Sequence, residues 1–238
     1  MQQFYNFKIK NINNLTSEEI NLRKKSLELF YQNGFPSKKE EDWKFTDLNS
    51  ILSQNFTNII NADLIPEEKQ FKLINEFEHN FISLLNGKLI SKSFIHEEKN
   101  KIFIKNFDYK NKINLNKENS LNYLNNALAI DGFSLEIEKN YKFKKPLVVY
   151  NHFSNSLKDT IINNKNSIIL NQNSELILIN FVDNDFKENF MVNTIEDIKI
   201  KKDATLKSIF INNSKCGGYF YKYVKNELEK NSNLENYI

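Results

Sequence analysis

The one cysteine of the chain, Cys216, lies in "SKCGGYF", between Lys215 and the nearby Lys222. Neighbouring ammonium groups lower a thiol's pKa, and Gly217-Gly218 would let a substrate approach the backbone. A lone cysteine with no local base is more often an unreactive thiol in a turn. A second candidate is "FVDNDFKEN", where Asp183 and Asp185 resemble the paired carboxylates of a glycan-cleaving site or a calcium loop. No glycine follows them as an EF-hand requires, and such a spacing is far more often a solvated loop between strands. The three histidines, His79, His96 and His152, are far apart and form no HxxxH pair. No Walker loop or Gly-x-Gly-x-x-Gly is present, and five glycines could hardly supply one. These residues name no reaction: catalytic, cofactor-binding and metal positions all stay unassigned, and the chain is not expected to be an enzyme.

Composition narrows the class. The chain has 238 residues, 40% of them hydrophobic and 13% aromatic, enough for one sizeable core or a small domain beside a larger one. Its 33 basic and 30 acidic residues are interspersed, giving a net charge of +3. Runs such as Lys38-Lys39-Glu40-Glu41 cancel locally, which argues against a nucleic-acid binder. The single cysteine cannot close an internal disulfide, so a reducing compartment, the cytoplasm, is expected. No apolar run approaches the roughly 18 residues that span a bilayer. The N-terminus has no continuous apolar stretch of a secretory signal. Asn and Lys are abundant, and the Asn is read as decorating turns and exposed faces.

The elements follow from spacing. Thr16-Ser17-Glu18-Glu19 is a capping box, and Ile20, Leu27, Phe30 and Tyr31 then share one helical face. Asn33-Gly34 and Pro36 stop that helix. Ser37 and Glu40 suggest a second box opening about two helical turns over 38–44, with Trp43 turned toward Leu48 and Ile51. A further helix is expected from Pro66 through "EEKQFKLINEF". Asn86-Gly87 between apolar runs predicts a hairpin, and "NSLNYLNNALA" at 119–129 is helical in pattern.

The last hundred residues repeat. "SIILNQNSELILIN" (167–180) and "DIKIKKDATLKSIFIN" (197–212) superpose at an offset of 30, pairing Ile168 with Ile198 and Leu170 with Ile200. The same frame pairs Ser174 with Ala204 and Leu176 with Leu206. "LEIEKNYKF" (135–143) carries that frame at an offset of 33, with Ile137, Tyr141 and Phe143 matching Leu170, Ser174 and Leu176. Each copy is a period-two strand, a polar corner and another strand. Recurrence at this length argues for stacked coils; a β-sandwich also alternates but has no reason to repeat at this period. The chain is therefore read as α+β. Residues 1–80 form an N-terminal helical region and 81–220 a hairpin and β-solenoid core. In the tail, 221–238, Tyr221, Val224 and Leu228 stand at helical spacing.

"GFPSKKEEDWKFTDL", residues 34–48, resembles the signature near the N-terminus of the SufB/SufD family, on its SufD side. Gly34, Pro36, Ser37, Glu41, Trp43, Lys44, Phe45, Thr46, Asp47 and Leu48 all match without a gap. "LNNALAIDGFSLEIEKNYKFKKPLVVYNHF", residues 124–153, is similar to a second family segment through Leu124, Asn125, Ala127, Asp131, Gly132, Lys145 and Pro146. "LLNGKL" (84–89) resembles the hairpin between them. The resemblance implies an N-terminal helical region and a partial right-handed parallel β-helix. It implies a scaffold subunit of the iron–sulphur cluster assembly complex, paired with SufB through the β-helix and working with the ATPase SufC. No cofactor is then bound by this chain alone, the cluster being handled transiently by the complex. Family members continue beyond the equivalent of Ile238, so the resemblance also implies a chain cut short of the domain that docks SufC. Neither His152 nor Cys216 matches the histidine the family uses, and no functional residue is carried over. The alternative from the residues is a β-solenoid glycan-binding or glycan-cleaving protein with Asp183 and Asp185 in its site.

Overall fold

The computed structural model describes residues 4–9, 15–62, 72–107, 119–154, 156–182, 184, 187–215 and 217–238. Helix α1 (Ser17–Asn33) starts as the spacing predicts. The Thr16 hydroxyl accepts from the Glu19 backbone N–H at 3.2 Å, and Glu19 Oε2 accepts from the Thr16 N–H at 2.7 Å. Gly34 stops the helix with φ 71, its N–H donating to the Phe30 carbonyl. The buried face differs from the expected one. Ile20 is exposed, whereas Glu19, Arg23, Ser26 and Phe30 are buried. Arg23 reaches the end of another helix, and its guanidinium decides the rotation of α1.

The charged stretch after α1 also differs. It forms a single 3-10 turn, Glu41–Trp43, in place of two α-helical turns. Only half of the second capping box is made: the Ser37 N–H donates to Glu40 Oε1 at 3.1 Å. The Thr46 N–H then donates to the Trp43 carbonyl, and Asp47 opens α2 (Leu48–Asn55) by accepting from the Ser50 N–H at 2.9 Å. A cap inside the run breaks it into two pieces. Phe35, which precedes them, is buried among Tyr5, Phe7, Phe30 and Phe56. The helix expected from Pro66 lies largely outside the described residues; its described end, 72–77, is not helical.

Strand β1 (Ile60–Asn61) is followed by the hairpin β2 (Asn80–Leu85) and β3 (Lys88–Ser93). Asn86 and Gly87 both have positive φ, 51 and 85, as that turn requires. Next come β4 (Ile102–Asn106) and helix α3 (Ser120–Leu128), whose range matches the helical pattern. The solenoid strands are β5 (Phe133–Ile137), β6 (Leu147–His152), β7 (Thr160–Leu170) and β8 (Glu175–Val182). They continue as β9 (Phe190–Ile200), β10 (Thr205–Asn212), β11 (Gly218–Leu228) and β12 (Asn233–Tyr237).

From β5 onward odd and even strands stack into separate sheets, ordered β11-β9-β7-β5-β4 and β12-β10-β8-β6-β2-β3, with β4 and the β2–β3 hairpin at their ends. Along β5 to β12 each strand pairs in parallel with the strand one coil away, so the chain is a parallel β-solenoid behind N-terminal helices. The register is the one the repeat sets: Ile168 pairs with Ile198, Leu170 with Ile200, Leu176 with Leu206. The corners repeat as well. Asn140, Asn173, Asp203 and Asn231 occupy successive corners, each at φ 58. Their side chains form rungs, Asn173 Nδ2 donating to Asn140 Oδ1 and Asn231 Nδ2 to Asp203 Oδ1, both at 3.0 Å. Asn and Asp tolerate this left-handed conformation best after glycine.

The tail corrects the helical reading. Residues 218–237 form one more coil, β11 and β12, in register with β9 and β10. "LEKNSNL" there copies "IEKNYKF" of the first coil, a repeat that the apparent helical spacing of Tyr221, Val224 and Leu228 obscures. Exposed pairs tie this coil down: Lys199 to Glu227 at 2.8 Å, Lys201 to Glu229 at 2.7 Å and Lys207 to Glu235 at 3.3 Å. Each contributes little alone.

Helix α3 lies on the outer face of the odd-strand sheet. Leu121, Leu124 and Ala127 join the aromatic cluster of the N-terminal region, with Ile161 of β7 and Met191 of β9. Asn125 Nδ2 donates to the carbonyls of Asn164 at 3.0 Å and Asn193 at 2.8 Å, clamping β7 to β9. Asn193 Nδ2 answers by donating to the Leu121 carbonyl at 2.8 Å. Arg23 closes the other end, donating to the carbonyls of Ala127 and Ala129 at 3.1 and 2.9 Å. A cation there also suits the negative end of the helix. Gly132 lets the chain leave α3: a Cβ at that position would stand 1.8 Å from the Lys165 carbonyl oxygen.

Two stability measurements check this. Gly132→Ala should cost about 3 kcal/mol or more, because backbone would have to move at a positive-φ position. Trp43 is only half-buried and stacks on Tyr221 of β11 at 5.8 Å, whereas Phe30 is fully buried. Urea unfolding should therefore rank Phe30→Ala, at about 3–5 kcal/mol, above Trp43→Ala, at about 1–2 kcal/mol. The reverse order would mean that the tryptophan, not the phenylalanine cluster, anchors this region.

Candidate functional site

Period-two alternation turns even-numbered residues of β7, β9 and β11 into the solenoid, and the inward rows are not uniform. Ile168, Leu170, Ile198 and Ile200 pack with Leu176, Leu178 and Leu206 in one apolar block. Ile162, Val192, Phe190 and Phe220 form another with Phe153, Val182 and Phe210. Between these blocks the rows are polar. Asn164, Thr194 and Lys222 make one row, and Asn166 and Glu196 lie in the next, beside Val224. Asn180 of β8 and Asn151 of β6 face them from the opposite sheet, in the matching gap between the two blocks. A polar band thus runs along the axis.

Most of its atoms are satisfied, as burial demands. Thr194 Oγ1 donates to Asn164 Oδ1 at 2.8 Å, and the Phe133 N–H donates to Asn166 Oδ1 at 3.2 Å. Asn151 Nδ2 donates to the Val149 and Phe181 carbonyls at 3.2 and 3.4 Å. Glu196, 1% exposed, takes the Lys222 ammonium on Oε2 at 2.7 Å. On the other side of the same sheet, Tyr221 stacks under Trp43 and its hydroxyl accepts from Asn119 Nδ2 at 2.8 Å. Burial pushes the Tyr221 phenol up from its ordinary pKa.

The band borders a cavity of about 50 Å³. That volume holds a few atoms, not a nucleotide or a sugar. A glycosidase needs two carboxylates across an open cleft. The band offers one carboxylate, already paired with Lys222.

The sequence-derived candidates fall elsewhere. Asp183, Asp185 and Cys216 lie outside the described residues. His79 and His152, remote in sequence, meet on either side of Tyr150 on the outer face of the even-strand sheet. The His152 ring stacks parallel to Tyr150 at 5.9 Å, and His79 Nε2 stands 2.8 Å from the Tyr150 hydroxyl. With its Nδ1–H donating to the Phe77 carbonyl at 3.0 Å, His79 accepts from Tyr150, and Tyr150 accepts from the Ile74 N–H at 2.9 Å. These bonds fasten residues 72–79 across the sheet, with Leu73 and Ile74 packed on Tyr150 and Val148. His96 lies in the loop after β3 and is not part of this arrangement, while the Lys145 ammonium holds the neighbouring Glu78 carboxyl below its ordinary pKa. Among the described residues, no three His, Cys, Asp or Glu side chains converge as metal ligands.

The polar band escaped sequence reading, although a signal existed. The frame set by Ile168 and Leu170, continued backward, points Asn164 and Asn166 inward; the same step from Ile198 reaches Glu196 and Thr194.

Comparison with known proteins gives the lineage. No curated protein matches the chain. The model of the SufBD protein N-terminal region matches residues 1–149, more than half of the 238. That span holds the residues whose work the fold explains: Gly34 ending α1, Asp47 capping α2, Asn125 clamping two strands, and Gly132 beneath the Lys165 carbonyl. The chain belongs to the SufB/SufD family, whose members take part in iron–sulphur cluster assembly.

Proposed function

We propose that this chain is a SufD-like scaffold subunit that pairs with SufB through its β-solenoid, in a cytoplasmic iron–sulphur cluster assembly complex that includes SufC. The family match carries this reading. In it the chain catalyses no reaction by itself, and the cluster is cargo of the complex, not a resident cofactor.

The shape of the solenoid supports a pairing role. Strands β11 and β12 each have a neighbour on one side only among the described strands. Unpaired parallel edges accept another coil of the same kind. The side chains there are mixed: Tyr223, Val224, Leu228 and Tyr237 are exposed beside Lys225 and Glu227. Such a surface suits a specific partner with matching apolar and charged rows.

Co-expression tests the reading. Tagged SufB should retain the 238-residue chain in a stable, stoichiometric complex, and omitting the chain should lower the iron and sulphide recovered with SufB. A chain that stays unbound, with SufB loading unchanged, would contradict it. Expressed without SufB, the same polypeptide should self-associate in a concentration-dependent way, which sizing by light scattering reads directly. A monodisperse monomer across the concentration series would show that the edge is protected.

A further inference from the structure

Two atoms of the axial band are left over. Glu196 Oε1 and Asn180 Nδ2 are buried and have no hydrogen-bond partner. Both residues line the cavity of about 50 Å³, together with Asn166, Thr194, Phe210 and Lys222. Glu196 is 1% exposed and Asn180 5%. A carboxylate oxygen and an amide N–H are costly to bury unsatisfied, and here both belong to residues that border the same small space.

The two orphans define what fits. An occupant must donate to the carboxylate oxygen and accept from the amide. An anion would be repelled by Glu196, and a cation would meet the Asn180 N–H and the Lys222 ammonium. The volume suits one or two water-sized molecules. We propose that the cavity is a binding site for a small uncharged molecule that both donates and accepts hydrogen bonds, held by Glu196 and Asn180 and filled by water in the resting protein. Lys222, whose side chain is 30% exposed, stands at its mouth with its ammonium on Glu196. The site does not depend on the assembly role.

Nuclear magnetic resonance on the isotope-labelled 238-residue chain tests this. The Asn180 side-chain amide protons should show cross-relaxation with a long-lived water. Methanol should shift those protons saturably, while acetate and ammonium at equal concentration should not. Glu196→Leu, which removes the acceptor and fills the space, should abolish the water contact. Lys222→Ala should shorten the water's residence time at least several-fold. The native protein alone decides if the leucine variant does not fold: an Asn180 amide without water contact means a dry cavity and overturns the site. A response to acetate or ammonium in place of methanol overturns the assigned chemistry. Water contact without any methanol response reduces the site to structural water and overturns the ligand claim. An unchanged residence time in Lys222→Ala removes that lysine from the mouth.

Discussion

The structure depends on one constraint, the in-register parallel stacking of β7 on β9. These strands pair from Thr160 with Phe190 to Leu170 with Ile200, and β1, β5, β11 and α3 are bound directly to them. A parallel strand satisfies its backbone only through its neighbours, so the coil before and the coil after must repeat its length and frame. A slip by one residue would send Ile168 and Leu170 outward and Asp197-like positions into the core. The corner residues hold the frame. Asn140, Asn173, Asp203 and Asn231 take the same left-handed turn at the same place in each coil. The chain's abundance of asparagine is thus partly structural, in the corner rungs, the α3 clamp and the axial band.

From that frame the helical region acquires its position. Asn125 and Asn193 exchange bonds between α3 and the sheet, and Arg23 ties α1 to the carbonyl end of α3. The phenylalanine cluster around Phe30 then fills the space between helices and sheet. Trp43, the chain's one tryptophan, is half-buried at the edge of this region and lies against the last coil through Tyr221. Its charged neighbours are explained by its place at the rim. Glu41 and Lys44 pair with each other in solvent at 2.8 Å, while the indole faces the sheet. The N-terminal signature is therefore a strap joining α1, α2 and strand β11.

Local signals were the most legible. The Thr16 box, the Asn86-Gly87 hairpin, helix α3 and the register of the repeat all follow from neighbouring residues or from one periodicity. What sequence reading missed depends on contacts between distant parts. The rotation of α1 is decided by carbonyls at Ala127 and Ala129, so the polar Arg23 is buried and Ile20 is not. The tail reads as helical because Tyr221, Val224 and Leu228 happen to lie at that spacing, while β9 supplies a ladder that outweighs it. The meeting of His79 and His152 at Tyr150 needs residues 72–79 laid across the even-strand sheet, which no spacing reveals. Glu196 and Asn180 belong to strands whose inward frame was readable, yet only the opposing sheet shows that they share a cavity.

The central claim is that the solenoid is the surface through which the chain enters an assembly. Backbone hydrogen exchange, measured with and without SufB, addresses it most directly. In the isolated chain, the amides of β7 and β9 should be the most protected and those of β11 and β12 less so. Adding SufB should slow exchange in β11 and β12 while leaving α1 and α2 unchanged. Protection that appears in the helices and not in the last coil, or nowhere at all, would contradict the account.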